Sequence, residues 1–281
     1  MSLRLKPLAD EPQSPTDKIC VEKTIIGASF TKTCFPPKIR VTSMPKKSPN
    51  IPNHVAMILD GNRRWAKKRG LRPWKGHFAG VGANAEEVMQ VAVETGIKYV
   101  TLWVGSYDNL TERSKIEIAM LNKAYRQLIE KSLSDERTYK NKIRIQFIGE
   151  WKKLLEPKTV ELINLAQRKT ASHNKHILTA LAGYNGDREM LAAVTSLAKE
   201  KKDKVTDTSL RKHLWTGSLP LVDLLIRTGV EGDPHNSTGF MMWHTRYSQY
   251  YFTDTLWPDF GKKEFLAALK DFARRERRLG K

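Results

Sequence analysis

An aspartate followed by a glycine and two arginines forms the segment of this sequence best suited to binding a diphosphate. Asp60 ends an apolar run, Gly61 permits a tight turn, and we expect a helix to begin at Asn62 or Arg63. Free N–H groups at the start of a helix bind phosphate, and Arg63 and Arg64 add charge-assisted hydrogen bonds. A carboxylate repels phosphate unless a hard cation bridges them, so Asp60 predicts a Mg²⁺ site. A simpler interpretation stays open, in which Asp60 caps the helix and the arginines are solvated.

Six short apolar runs alternate with longer amphipathic patterns and must position this segment. Helices between successive strands imply right-handed crossovers, and near-continuous apolar strands indicate burial on both faces. We therefore predict an α/β fold with a mostly parallel six-stranded sheet flanked by helices. The predicted strands are 54–59, 99–104, 143–148, 176–182, 221–226 and 250–255. The predicted helices are 77–94, 114–133, 157–171, 187–201, 207–214 and 262–277.

Polar residues and glycines follow four of the predicted strands. They occupy positions 60–64, 105–109, 183–186 and 227–229. Ligands of such sheets bind beyond the carboxyl ends of the strands. The sequence therefore predicts one polar site built from these four turns.

Composition excludes several classes of protein. The longest mostly apolar runs have about six residues, whereas a membrane span needs roughly 18. Cys20 and Cys34 are the only cysteines, so neither a disulfide scaffold nor a cysteine-based zinc site is expected. The formal net charge of +19 predicts an anionic partner.

The first 50 residues differ in composition from the rest. They are rich in Ser, Thr, Pro and Lys and carry a net charge of +5, so we expect a disordered or targeting extension. Organelle targeting by residues 1–43, a start of translation at Met44 and a plain flexible extension all stay open. We expect a cytoplasmic protein, since the extension lacks an apolar secretion signal.

The segment from His54 to Ala66 resembles the signature of the cis-prenyltransferases, the undecaprenyl diphosphate synthase family. The resemblance is colinear over about residues 51–281, which would form the catalytic domain. It continues through Arg69, Gly76-His77, 106–109, Arg227-Thr-Gly, 250–260 and the terminal 274–280.

This resemblance implies a transferase that condenses isopentenyl diphosphate with an allylic prenyl diphosphate to give a Z-polyprenyl diphosphate. It implies Mg²⁺ as the cofactor, a hydrophobic product tunnel and a dimer, either a homodimer, which we expect, or a heterodimer. Asp60 and Asn109 would be catalytic, with Asp60 also holding the metal. The remaining substrate-binding positions would be Gly61, Asn62, Arg63, Arg64, Trp65, Arg69, His77, Ser106, Arg113, Arg227, Arg278 and Gly280.

We place the tunnel on two helices by analogy with the family, although apolar residues at helical spacing are also typical of ordinary core. The bulky Trp103 and Val104 favour a short or medium product. The assigned wall comprises Phe78, Val81, Val88, Val91, Ala92 and the apolar positions of 116–129.

The sequence departs from the family pattern at three places. Segment 230–240 is about three residues longer than usual and lacks a second arginine of the isopentenyl site. Gln249 replaces a glutamate that often supports the metal, and Leu110 replaces a tryptophan.

Three explanations of these departures stay open. In an active subgroup, His235, Ser237 or Arg246 would take over the phosphate contacts, so we add His235 and Ser237 to the substrate-binding set. The reaction would otherwise be a branched or cyclising condensation of short allylic diphosphates. The third alternative is a non-catalytic subunit of a heteromeric enzyme, which the retained Asp60 and terminal Arg-Leu-Gly disfavour.

The positive charge alone would suit nucleic acid, a membrane surface or a diphosphate. The sequence has neither a zinc finger nor an RNP-like run, so no nucleic-acid partner is expected. An all-helical trans-prenyltransferase would need paired aspartates, and no two are adjacent here. The basic cluster between Arg274 and Lys281 is either a peripheral contact with anionic lipid or a solvated helix end.

Overall fold

A single six-stranded parallel sheet organises the chain. The structure is a computed structural model that describes residues 50–200 and 205–276. The strand order is β3-β4-β2-β1-β5-β6 and every neighbouring pair is parallel, which confirms the predicted α/β fold. The strands are β1 His54–Ile58, β2 Tyr99–Gly105, β3 Ile143–Ile148, β4 His176–Ala182, β5 Leu224–Arg227 and β6 Gln249–Phe252.

Helices connect these strands and cover both faces of the sheet. Strand β1 shows why both faces need cover, because Val55 and Met57 pack into one apolar cluster and Ala56 and Ile58 into another. The helices before β3 are α1 Asn62–Lys68, α2 Pro73–Ala79, α3 Ala85–Thr95, α4 Tyr107–Thr111, α5 Lys115–Ser134 and α6 Glu136–Lys140. The later helices are α7 Trp151–Leu154, α8 Pro157–Lys169, α9 Gly186–Ala198, α10 Asp207–His213, α11 Met242–Thr245 and α12 Lys262–Arg274.

Strands β5 and β6 are shorter than predicted, and side chains add hydrogen bonds to the backbone at their ends. Asp223, inside the predicted fifth strand, instead accepts hydrogen bonds from the N–H groups of Asn53 and His54, at 2.8 and 3.1 Å. After β6, the N–H of Thr255 donates to the hydroxyl of Thr253 and forms a local turn.

The helix predicted over 77–94 begins earlier and contains an irregular turn. Pro73 starts α2, as suits a residue without an N–H group, and a π-helical turn at Gly80–Asn84 joins α2 to α3. The indole of Trp257 donates to the carbonyl of Gly80 at 2.8 Å. A Cβ on residue 80 would lie 2.4 Å from that ring, so the close approach needs glycine. The extra residue in this turn changes which face of α3 meets the sheet.

Candidate active site

A cavity of about 470 Å³ lies at the carboxyl ends of β1, β2 and β5. It unites the turns after these three strands, as predicted for parallel strands, but the fourth predicted turn, 183–186, does not line it. The substrate-site residues that line it are Asp60, Gly61, Asn62, Arg63, Arg64, His77, Ser106, Asn109, Arg113, Arg227 and Ser237.

Asp60 lies between two guanidinium groups at the wall of this cavity. Its Oδ1 is 3.1 Å from Arg64 Nη2, and its Oδ2 is 3.0 Å from Arg227 Nη2. Arg227 is buried, whereas the carboxylate of Asp60 is 38% exposed and therefore open to a ligand. The cavity is lined by four arginines and two aspartates, and this excess of positive charge suits a bound anion.

The turn at Gly61 determines where α1 begins. Gly61 has a φ of +104°, and a Cβ there would lie 2.7 Å from the side chain of Leu256. Helix α1 then starts at Asn62, as predicted, with Arg63 and Arg64 at the cavity wall. The first N–H groups of a helix lack acceptors within it, so they add donors to this wall.

Asn62 and His77 link the first helices at the cavity. Asn62 Nδ2 donates to the carbonyl of Leu59 at 2.9 Å, and its buried Oδ1 accepts no hydrogen bond within the part of the chain that is described. Arg113 Nη1 lies 2.9 Å from His77 Nε2. Burial, together with the charges of Arg113 and Arg63, lowers the pKa of His77 to about 3. A neutral His77 therefore accepts from Arg113 and holds that guanidinium in place.

Ser106 and Asn109 form a capped turn after β2. Ser106 Oγ accepts a hydrogen bond from the backbone N–H of Asn109 at 2.9 Å and another from its side-chain amide. Asn185, after β4, accepts from the N–H of Tyr107 at 3.0 Å and donates to Asp108 Oδ2 at 2.9 Å. Asn185 is buried and braces this turn. The turn at 183–186 that the sequence analysis places in the site contains Asn185, although the sequence assigns this residue no role.

A metal ion at this site would rely on Asp60. The described ranges contain no group of three or more His, Cys, Asp or Glu side chains that could hold an ion. Mg²⁺ in phosphate sites is commonly bound by one or two carboxylates together with substrate phosphates and water. The partly exposed carboxylate of Asp60 fits that arrangement.

Comparison with known proteins identifies the family. Residues 58–280 match the Prenyltransf family model, that of undecaprenyl diphosphate synthase. This chain belongs to the cis-prenyltransferases. The predicted activity, condensation of isopentenyl diphosphate with an allylic diphosphate, is thereby confirmed, and enzymes of this family generally use a divalent metal.

Curated relatives and a solved structure agree with this family. An isoprenyl transferase of Thermus thermophilus is 38% identical over 246 residues, covering 84% of this chain and 91% of the relative. A tritrans,polycis-undecaprenyl-diphosphate synthase (geranylgeranyl-diphosphate specific) of Pyrococcus horikoshii is 34% identical over 242 residues, covering 84% and 89%. Lavandulyl diphosphate synthase from Lavandula x intermedia, solved with dimethylallyl diphosphate, matches with a TM-score of 0.77 and 29% identity. That match covers 83% of this chain and all of the other.

Two residues that the family resemblance assigns to substrate lie outside this cavity. Trp65 Nε1 donates to Asp259 Oδ1 at 2.7 Å, and Arg69 lies 3.3 Å from the same carboxylate. The Arg69 guanidinium also stacks on the Trp65 ring, 4.1 Å from its centroid. This cis-prenyltransferase thus uses Trp65 and Arg69 to tie α1 to the turn at Trp257–Asp259. Arg278 and Gly280 lie outside the described residues.

The three candidates for replacement phosphate contacts differ in position. Ser237 lines the cavity. His235 accepts from Arg227 through its backbone carbonyl at 2.8 Å, while its ring lies 3.1 Å from Asp233. Arg246 pairs with Asp207 at 3.0 Å and does not line the cavity.

The departing segment after β5 introduces a carboxylate that sequence reasoning did not single out. Glu231 lies 2.9 Å from Arg64 and 3.0 Å from Lys68. Glu231, Thr238 and Met241 all have positive φ, a conformation that costs about 1–3 kcal/mol for residues other than glycine. Thr238 lines the cavity. The longer segment therefore contacts Arg64 and Lys68 through Glu231 and has a strained backbone.

The other two departures lie away from Asp60. Gln249 opens β6 and pairs with Leu224 at the start of β5, whereas Arg227 at the end of β5 contacts Asp60. Leu224 and Arg227 are three residues apart along β5, at about 3.3 Å per residue. Gln249 and Asp60 of one chain are therefore too far apart to share an ion. Leu110 is buried in the apolar cluster beside α5.

A second cavity of about 300 Å³ lies between one face of the sheet and helices α3 and α5. Val104 lines both cavities, so they adjoin at the carboxyl end of β2. The apolar residues that line the second cavity are Ala85, Met89, Val93, Leu102, Leu128, Ile129, Ile143, Ile145, Phe147, Leu178 and Ala180.

Three of the residues predicted for the tunnel wall on α3 do not line the second cavity. Val88, Val91 and Ala92 are fully buried in the core and do not line the second cavity, whose wall uses Ala85, Met89 and Val93 instead. The π-helical turn shifts the register of α3 relative to a plain helical repeat. Trp103 lines the first cavity but not the second, and its ring stacks on Phe240 with centroids 5.2 Å apart.

Two features of the described residues bear on membrane contact, the length of the apolar helices and the contacts of Arg275. Among residues 50–200 and 205–276, no helix is both long and apolar enough to cross a bilayer. Arg275, part of the basic cluster, pairs with Asp271 and donates to the carbonyl of Tyr250 at 2.9 Å. These bonds hold Arg275 against the fold.

Proposed function

We propose that the Asp60 cavity binds the allylic diphosphate against α1 and the isopentenyl diphosphate beside Arg227, and that the second cavity takes the growing Z-polyprenyl chain. The observation that carries this proposal is the position of Asp60 between Arg64 and Arg227, next to the apolar cavity. Arg64 and Arg227 would lie beside the departing diphosphate, and the apolar second cavity lies next to them.

Arg63, Arg64 and Arg113 would bind the allylic diphosphate and stabilise the negative charge that develops as the carbon–oxygen bond breaks. Mg²⁺ held by Asp60, when bound, would neutralise part of that charge. The pairs of Arg64 with Asp60 and Glu231 keep its guanidinium at the cavity until an anion replaces a carboxylate.

Arg227, Ser106 and Asn109 would orient the isopentenyl diphosphate. Arg227 is fixed by Asp60 and by the carbonyl of His235, so its position is set before substrate arrives. A preset donor needs little reorganisation, which is how fixed groups lower a reaction barrier. The turn that carries Ser106 and Asn109 is held likewise by Asn185.

The allylic cation needs a dry, apolar surrounding, because water would convert it to an alcohol. The second cavity supplies this surrounding through Val104, and the chain would extend from there along β2, β3 and β4. Val104, which lines both cavities, would narrow a passage between them, and a narrow passage would favour a short or medium product.

A second candidate is the branched condensation of two short allylic diphosphates. The similarity to lavandulyl diphosphate synthase solved with dimethylallyl diphosphate favours it, together with the altered segment beside Arg64. A homodimer, with Arg278 and Gly280 reaching the partner's diphosphate site, and peripheral contact with anionic lipid stay predictions from the sequence.

Incubation of the full chain with labelled isopentenyl diphosphate, Mg²⁺ and allylic primers of several lengths tests the proposal. We expect label in Z-prenyl products after dephosphorylation and chromatography. A product from dimethylallyl diphosphate alone, without incorporation of label, would favour the branched reaction. Absence of both products from folded protein would contradict catalysis by this chain alone.

A further inference from the structure

We propose that an ion-pair bridge between α3 and α6 closes the far end of the second cavity and sets the length at which the product stops growing. The bridge consists of Glu86, Lys131, Asp135 and Arg137, and is called the distal bridge below. This inference rests on the proposed function of the second cavity as the product site.

The distal bridge spans the two helical walls of the cavity. Glu86 of α3 lies 2.5 Å from Lys131 of α5 and 3.8 Å from Arg137 of α6. Arg137 in turn holds Asp135 through a two-pronged contact, with Nη2 2.6 Å and Nε 2.9 Å from Oδ2. All four side chains line the cavity. The bridge therefore joins α3 to α5 and α6 by charge pairs rather than by apolar packing.

The topology places Asp135 and Arg137 of the distal bridge away from the diphosphate site. Helix α6 leads directly into the start of β3, so Asp135 and Arg137 lie towards the amino ends of the strands. Val104, where the cavities adjoin, lies at the carboxyl end of β2. A chain that grows from the Asp60 site past Val104 would meet Ile145 and Ile143 before it reaches the bridge.

The exposure of the four side chains indicates a closure rather than a hydrated channel. The carboxylates of Glu86 and Asp135 are 25% and 23% exposed, whereas the side chains of Lys131 and Arg137 are 58% and 56% exposed. The acids thus face inward and the cations cover them from outside. Hydrogen bonds from Arg137 lower the pKa of Asp135, which keeps that carboxylate charged.

A hydrocarbon tail gains nothing by displacing paired charges, because the released carboxylates would lie uncompensated beside apolar atoms. Growth would therefore stop when the tail reaches Glu86. Without Glu86, Lys131 and Arg137 can extend into solvent on their long stems. The cavity would then open beside α3, and additional isoprenoid units would fit.

Product analysis of Glu86→Leu and Glu86→Gln tests this role with the full chain. Both variants have a side chain of similar size and remove the charge, so we expect both to shift the products towards longer chains. Both variants should still incorporate labelled isopentenyl diphosphate, because Glu86 does not line the Asp60 cavity. Arg137→Gln, a change at an exposed side chain, gives the same test if a Glu86 variant fails to fold.

Arg126→Ala is the matched control. Arg126 also lies on α5 and forms a 2.6 Å pair with Glu156, but it does not line the cavity. We expect its products to be unchanged in length. Unaltered products from active Glu86 and Arg137 variants, or equal lengthening by Arg126→Ala, would overturn the role of the distal bridge. Absence of incorporation by the unchanged protein would instead count against the proposed function.

Discussion

Arg227 and Asp60 join the carboxyl ends of β5 and β1 through a 3.0 Å contact between Nη2 and Oδ2. Their strands are neighbours, with Ile58 paired to Arg227, so the sheet itself brings the two side chains together. The pair is the meeting point of the two proposed diphosphate subsites. Both side chains therefore serve the site and the junction between strands.

Replacement of Arg227 by alanine should reduce kcat/KM by about 100-fold or more, since a fixed donor to developing charge is lost. Unfolding free energy should fall by about 1–3 kcal/mol, because Asp60 and the carbonyl of His235 lose a donor. Steady-state assays and urea denaturation measure both effects. Arg246→Ala, which removes a surface pair with Asp207, is the control and should change kcat/KM little. Comparable losses in the two variants would contradict the assignment of Arg227.

Replacement of Gly61 by alanine should destabilise the fold and distort the start of α1. The substitution adds a side chain at a φ of +104° and a Cβ 2.7 Å from Leu256, with an expected cost of about 1–3 kcal/mol or more. Gly70→Ala provides the control, since Gly70 also has positive φ but no atom within 4 Å of the added Cβ. Equal denaturation midpoints for both variants would show that contact with Leu256 is unimportant.

The lowered pKa of His77 predicts an effect of pH on stability. The unfolded side chain, with a pKa of 6.5, binds a proton more readily than the folded one, whose pKa is about 3. The contribution of His77 is therefore complete above pH 6.5 and is lost as the pH falls from 6.5 towards 3. The unfolding free energy of His77→Gln, measured by denaturation, should fall less between pH 6.5 and 3 than that of the unchanged protein. The glutamine amide keeps an acceptor for Arg113 but does not titrate.

Part of the fall in unfolding free energy at low pH should persist in His77→Gln, because burial also lowers the pKa values of His54 and His244 to about 4. A decline as steep in His77→Gln as in the unchanged protein would contradict a neutral, buried His77.

A larger side chain in the second cavity should shorten the product. Met89 lines this cavity from α3, so Met89→Trp would fill space that the tail requires. Chromatography should show shorter chains while the first condensation continues. Leu191→Trp, at a position 70% exposed on α9, is the control and should leave product length unchanged. An unaltered distribution from active Met89→Trp would remove this cavity from the path of the product.

Local sequence signals predicted the sheet and much of the site. The apolar run before Asp60 and the glycine after it sufficed to place β1 and the start of α1, because both depend on neighbouring residues. The rule that parallel strands present their carboxyl ends at one edge then brought Asp60, Asn109 and Arg227 to one cavity.

Contacts between distant segments account for the features that the sequence analysis did not predict. The π-helical turn is bonded to Trp257, which is 177 residues from Gly80, and α3 beyond it presents Met89 and Val93 rather than Val88 to the second cavity. Asp259, which is 190 residues from Arg69, draws that arginine away from the cavity. Asn185 was detectable, since it follows a predicted strand at the polar edge. The distal bridge could not be detected from the sequence, because its charged residues resemble ordinary solvated positions along α3 and α5.

A crystal structure of the protein with Mg²⁺ and a non-reactive allylic diphosphate analogue tests the central claim most directly. The account predicts the diphosphate at the start of α1, within hydrogen-bond distance of Arg63 or Arg64, with a cation between it and Asp60 and the prenyl tail passing Val104. A diphosphate bound away from this turn, or a tail directed away from the second cavity, would contradict it.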